Sequence, residues 1–238
     1  MTVSRSKIWQ EIWDKKGQKA DVPLHHVDGF DLLDAEQWDY MVGQVTRPLG
    51  LKDGEKILEC GCGAGAFLAS LLKKFPELKV TGLDYSQPIL AAAKRNVKGD
   101  FYHGDMTDLS IFSDGQFEKT ISYSTFHYLS SEGAAARAVR EMVRVTRAGG
   151  SVFIGDVSDL AKREMALALR KMTHQNHQRV SSANTDHLFV PQELFRQLAG
   201  ELKLGIDIID QESFDLPFYD NAKYRYSVYL RKNSGRKG

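Results

Sequence analysis

The chain has 238 residues, 42% of them hydrophobic and 26% charged, enough to bury one substantial core, with too little glycine and proline for fibrous or disordered material. Its 32 basic and 31 acidic residues nearly cancel, so the broad basic footprint that accompanies nucleic-acid partners is missing, which argues against such a partner. No apolar run reaches the roughly 20 residues of a membrane span, no apolar signal segment follows Arg5 and Lys7, and Cys60 and Cys62 stand too close for a structural disulfide; a cytoplasmic protein with reduced thiols is expected.

Taken in chain order, residues 1–50 predict a helical cap that belongs to the same domain as the core, residues 51–238. Helices are expected at Ser6–Lys15, where Ile8, Trp9, Ile12 and Trp13 share one face, and at Asp34–Val45. His25 and His26 sit in the loop between them, either lining a substrate pocket or exposed in a turn. Strands are expected at 56–60, 79–84, 100–104, 118–123 and 150–156, with helical patterns at 65–75, 87–96 and 132–147 between them. This alternation predicts a parallel sheet covered on both faces. After helices over Asp159–Thr173 and Gln192–Leu202, the runs Ile206–Phe214 and Tyr224–Leu230 are too close together for another crossover and predict an antiparallel pair.

The chemistry concentrates at Lys56-Ile57-Leu58-Glu59-Cys60-Gly61-Cys62-Gly63-Ala64-Gly65, where an apolar strand meets an acid and three alternating glycines. Glycines there exclude Cβ atoms and let the backbone approach a ligand. Asp84 follows Gly65 by 19 residues, at the end of the next strand, a distance that suits the hydroxyls of a ribose. The glycines alone also satisfy the looser dinucleotide fingerprint, so NAD competes. Glu59 tips the balance: a dinucleotide brings a pyrophosphate to the helix N-terminus, whereas a cofactor with an amino-acid end needs a carboxylate for its ammonium.

Ile57 to Gly65 resembles the first motif of the class I S-adenosylmethionine-dependent methyltransferases, and Asp84, Gly104-Asp105-Met106, Glu118–Tyr128 and Gly149–Ile154 resemble later segments of that family in the same order. The resemblance is close over roughly residues 50–160 and looser beyond. It implies an α/β, Rossmann-like three-layer sandwich, with a mostly parallel seven-stranded sheet, a C-terminal antiparallel strand pair and an N-terminal helical cap. It also implies S-adenosylmethionine as cofactor and S-adenosylhomocysteine as product. Gly61, Cys62, Gly63 and Gly65 would cradle the methionine portion, with Glu59 and Ser124 at its amino end. Asp84, Tyr85 and Ser86 would meet the ribose and adenine, Asp105 the adenine amino group, and Met106 the ring. Trp13, with Trp9, resembles an aromatic segment that lies across the cofactor, although spacing of four equally suits packing onto the core.

For the acceptor, a polar small molecule methylated on oxygen or nitrogen is expected, by a monomer or homodimer. The substrate-side candidates are His25, His26, Tyr128, Asp156, His174, His187, Tyr219 and Tyr226. His127 is the candidate base, or a residue that only orients substrate. No Asp/Glu/Asn trio has the spacing of a catalytic magnesium site, so no metal is assigned. The alternatives are a peptide or protein amine acceptor, an NAD-dependent oxidoreductase, and a non-catalytic S-adenosylmethionine-binding regulator.

Overall fold

The computed structural model describes residues 5–19, 21–177 and 187–234, apart from the side chains of residues 5, 6 and 173–177. Strands β1 (Lys56–Cys60), β2 (Lys79–Asp84), β3 (Asp100–His103), β4 (Phe117–Tyr123), β5 (Thr146–Ser158), β6 (Gly205–Asp210) and β7 (Arg225–Arg231) form one seven-stranded sheet in the order β3-β2-β1-β4-β5-β7-β6. The first five pair in parallel, and β7 runs antiparallel between β5 and β6. The chain order reverses direction between β1 and β4, so the loops leaving these two strands diverge and open a crevice at their carboxyl ends.

Among the described residues, eight α-helices cover the sheet: α1 (Arg5–Gly17), α2 (Leu24–Val27), α3 (Ala35–Thr46), α4 (Ala66–Lys74), α5 (Gln87–Asn96), α6 (Glu132–Val145), α7 (Arg163–His177) and α8 (Gln192–Glu201). Alternate strand residues point to opposite faces and supply two cores. Ile57, Val80, Ile121, Phe153 and Tyr229 pack beneath α3 and α4, while Leu58, Leu83, Val152, Ile154 and Val228 pack beneath α6 and α8. Strands buried on both faces are continuously apolar, which explains the dense hydrophobic runs at 57–60 and 152–157.

Local signals set the helix starts. Asp34 accepts from Gln37 N while the Gln37 side chain accepts from Asp34 N, a reciprocal cap that begins α3. Ser131 caps α6 by accepting from Ala134 N at 3.2 Å. The N-terminal helices are fixed to the core by specific contacts. Trp38 Nε1 donates to Ala66 O at 3.3 Å, and Asp39 accepts from Ser70. Gly17, at the end of α1, lies so tightly on the Pro88–Ile89 backbone of α5 that a Cβ there would collide with it. β5 extends further in both directions than its apolar run, because residues 146 and 157–158 continue the pairing with β4 and β7. Ile206–Phe214 is shorter as a strand than its sequence suggests: Gln211–Phe214 turns into a 3-10 helix. No helix among the described residues is long and apolar enough to cross a membrane.

Candidate functional site

The glycine turn is held in place from β2. Gly61 N and Cys62 N both donate to Leu83 O, at 2.7 and 3.0 Å. Gly61 and Gly63 have φ of +74° and +54°, and a Cβ on either would collide, with Thr125 and Asp28 respectively. The turn leads directly into α4, with Gly65 as its left-handed cap.

Above the turn lies a cavity lined by Trp13, Asp28, Phe30, Trp38, Glu59, Gly61, Cys62, Gly63, Phe67, Asp84, Tyr85, Tyr123, Ser124, Thr125 and Tyr128. Its mixture of aromatic walls with a few polar groups is that of a small-ligand pocket. Three carboxyl groups share it. Asp84 accepts from Gly63 N and Ser86 N, each at 2.9 Å. Asp28 accepts from Ala64 N at 2.6 Å and Ala66 N at 3.1 Å. Glu59 is buried, and its Oε2 has no hydrogen-bond partner.

Burial raises all three carboxyls. Burial is the larger cause for Asp28, lifted to about 7, with its two backbone donors pulling the other way and Asp84 adding to the rise. Asp84 is raised to about 6 by burial, against the amides that hold it. Burial, then the charges of Asp28 and Asp84, push Glu59 well above its ordinary range. A buried carboxylate oxygen with nothing to accept from is costly, and Glu59 is one of the residues that line the cavity. The Tyr85 hydroxyl, also buried without a partner, offers a second polar contact on the Asp84 side.

The structure brings Trp13, Glu59, Gly61, Cys62, Gly63, Asp84, Tyr85, Ser124 and Tyr128 together around the cavity, with Gly65 just behind as the start of α4. Ser86 is fully buried behind the wall, and its Oγ donates to Asp14 at 2.5 Å, which ties α1 to the β2 loop. Asp105 and Met106 are corrections. Asp105 is exposed and accepts from Thr107 N at 2.8 Å, stabilising its own turn; Met106 is buried with Leu58, Leu83 and Leu109 because it follows the strand on its core-facing side.

On the acceptor side the outcome is more mixed. His25 and His26 do not line this cavity: both ring Nε2 atoms meet Leu33 O, at 2.9 and 3.1 Å, and close the loop that carries Asp28 and Phe30. Tyr226 faces the opposite core, where its hydroxyl donates to Val190 O at 3.0 Å. His174 has a side chain outside the described residues. His187 stacks near Trp9, His127 and Tyr128, with ring centroids 5.0, 4.5 and 5.3 Å away. Arg170 lies 2.6 Å from His187 Nδ1. His127 lies behind Tyr128 and away from the cavity wall; burial, then Arg225 and His187, hold its pKa well below the ordinary histidine range. Its ring packs against those of Tyr128 and His187, at centroid distances of 4.1 and 4.5 Å, and its Nδ1 is buried without a hydrogen-bond partner.

Asp156 is fully buried at a left-handed position of β5, where the pairing with β7 is interrupted. It accepts from Tyr219 OH, at 2.9 and 3.0 Å, and from Arg225, which also lies 3.3 Å from Ser124 Oγ. Burial lifts the Asp156 carboxyl and the guanidinium draws it back. This buried pair supports the wall at Ser124. Sequence reasoning missed Asp28, Phe30, Trp38, Tyr123 and Arg225. Tyr123 had a signal, since it ends β4 immediately before Ser124. Asp28 had only the turn-forming Gly29 beside it. Among the described residues, no three His, Cys, Asp or Glu side chains gather as a metal site.

A family profile described as a methyltransferase domain matches residues 57–150, the stretch from β1 through the start of the inner part of β5. The fold agrees across nearly the whole chain with solved methyltransferases. One from Haloferax volcanii, in complex with the methyltransferase activator Trm112, has a TM-score of 0.62 at 15% identity, covering 98% of this chain and 100% of that one. Magnesium protoporphyrin IX methyltransferase from Synechocystis PCC 6803 has a TM-score of 0.61 at 13% identity, covering 98% and 99%. Residues 57–150 thus match a methyltransferase domain, and the chain has the fold of the class I S-adenosylmethionine-dependent methyltransferases. S-adenosylmethionine is this family's methyl donor, and the unpartnered Glu59 oxygen, the clash-limited glycine turn and Asp84 fit it.

In sequence, ribosomal RNA small subunit methyltransferase C of Klebsiella pneumoniae subsp. pneumoniae and of Salmonella arizonae is 33% identical over 103 residues. That match takes in 42% of this chain and 30% of each relative, so the chain spans less than a third of the relatives it matches. The expectation of a small-molecule acceptor, with nucleic acid disfavoured, is overturned by these relatives, whose names specify ribosomal RNA. Net charge is a poor guide to such a partner because it averages over the whole surface.

Proposed function

We propose that this chain binds S-adenosylmethionine in the cavity above the glycine turn and transfers its methyl group to a nucleobase of structured RNA. The observation that carries the donor half is the buried, unpartnered carboxylate oxygen of Glu59, a residue that lines the cavity. Glu59 takes the cofactor's ammonium, Asp84 accepts from the ribose hydroxyls, and Tyr85 flanks the adenine. Trp13, on the helix α1, covers the site, so residues 1–50 serve as a cap within the same domain.

When bound, the cofactor supplies an electrophilic methyl carbon on a sulfonium that leaves as a neutral thioether. The chain's own contribution is alignment and exclusion of water. Phe30, Trp38 and Tyr123 form an aromatic wall, with Phe30 4.5 Å from Trp38 and 6.0 Å from Tyr123 between ring centroids. Such π faces suit a planar heterocycle taken out of its stack. Ser124, held by Arg225, marks the boundary between the donor and acceptor ends. The RNA reading is supported by the names of the sequence relatives, which share the donor half of the chain. The two unpaired cysteines fit a cytoplasmic setting.

Methyl-labelled S-adenosylmethionine and unmodified small-subunit ribosomal RNA test this directly. Label that follows the RNA and is released by ribonuclease supports both halves. Saturable donor binding with no label in the RNA overturns the acceptor and leaves the donor assignment standing.

A further inference from the structure

The start of a helix directs unsatisfied amides and the positive end of its dipole at whatever lies before it, which makes it a seat for anions. In a dinucleotide-binding enzyme that anion is the cofactor's pyrophosphate. In this chain the seat already holds an anion of its own. Asp28, from the loop after α2, places one carboxylate oxygen 2.6 Å from Ala64 N and the other 3.1 Å from Ala66 N, at the mouth of α4. Asp84 takes Gly63 N at 2.9 Å.

Satisfying one amide apiece leaves each Asp28 oxygen with lone pairs to spare, and the side chain lines the cavity. Glu59, buried and with Oε2 unpartnered, lines the same cavity. Two carboxylates facing one cavity repel a phosphate. They also offer convergent acceptors to a group with three donors, which describes an ammonium.

We propose that Asp28 is a specificity-determining residue of the cofactor site: it occupies the anion position at the start of α4 with the chain's own carboxylate and, with Glu59, makes the glycine turn a seat for the cofactor's ammonium. The inference rests on the donor assignment above. It also gives the N-terminal segment a reason to be where it is, since the residue that closes the turn arrives from outside the core sheet.

Calorimetric titration of the wild type and Asp28→Asn with S-adenosylmethionine, S-adenosylhomocysteine and 5′-methylthioadenosine tests it. The third ligand keeps the nucleoside and lacks the amino-acid end. Asparagine keeps the size of the side chain and removes its charge. Affinity for the two amino-acid-bearing ligands is expected to fall about 10- to 100-fold, the usual cost of a lost charge-assisted contact, with 5′-methylthioadenosine unchanged. An equal loss for all three ligands, or no loss for any, overturns the proposal. Should Asp28→Asn not fold, the wild type still decides: inorganic phosphate that displaces S-adenosylmethionine overturns the claim that the seat is filled, and phosphate without effect upholds it. A folded wild type that binds none of the three ligands overturns the donor assignment instead.

Discussion

The two ends of the cavity are built by different means. At the donor end, backbone amides of one short turn meet side chains of strands β1 and β2, and every glycine, Glu59 and Asp84 falls within residues 59–84. At the acceptor end, Asp156 of β5 meets Arg225 of β7 across 69 positions of sequence, and Tyr219 joins them from a third segment. The first is local geometry that tolerates little variation. The second is a tertiary arrangement of side chains that only the finished sheet assembles. The donor end should therefore fail through ligand binding when altered, and the acceptor end through stability.

The harshest way to probe this contrast is Arg225→Ala. It strands a buried Asp156 carboxylate without its guanidinium and is expected to cost about 3–5 kcal/mol, read as a lower denaturant midpoint at unchanged slope. Donor affinity of the folded variant should stay within about tenfold of wild type, because Arg225 reaches the donor end only through Ser124. A large loss of donor affinity with intact stability would merge the two ends into one unit. The converse variant, Gly63→Val, puts a branched side chain at a φ of +54° and against Asp28. Donor binding should fall below detection by calorimetry while circular dichroism retains the helical and strand content.

Asp84→Ala sits next in size. It removes a ribose acceptor and also two backbone contacts, at Gly63 N and Ser86 N. Affinity for S-adenosylmethionine and for 5′-methylthioadenosine should weaken alike, by about 1–3 kcal/mol. An unchanged affinity for both would remove Asp84 from the ribose site.

The same contrast explains what could be read from the sequence. The strand and helix positions through residue 145, apart from the four-residue helix α2 where a loop was expected, were legible because apolar runs and glycine punctuation are local signals, and the donor turn was legible because its constraint is on consecutive residues. Asp105 and Met106 failed although they follow a strand just as Asp84 does. After β3 the chain turns back on itself, so that Asp105 caps its own loop and Met106 enters the core beside Leu109. Tyr226 failed for a periodic reason: alternate residues of β7 face opposite cores, and which face met the cavity depended on the register with β5. Arg225 and Asp28 were illegible because each acquires its role from a partner far away in sequence, Asp156 for one and the Ala64 and Ala66 amides for the other.

The gentlest probe is pH, and its sign separates the two ends again. In the donor-free protein the carboxyls of Asp28 and Asp84 titrate near 7 and 6, against an ordinary value of 3.8. The folded state thus holds protons that the unfolded chain has already released. The stability these groups contribute is full below about pH 4, declines as pH rises to about 7, and is level above it. A cationic ligand favours the ionised carboxylates, so donor binding must expel those protons and weaken as pH falls from 8 to 6. Glu59 and Asp84 face Asp28 with like charge and Lys16 opposes them, so the net effect is shallow, less than about tenfold in affinity over that range. Calorimetry in buffers of differing ionisation enthalpy measures the protons directly: net release near pH 6.5 that vanishes above pH 8 is expected, and net uptake would mean that the cation does not sit among these carboxylates.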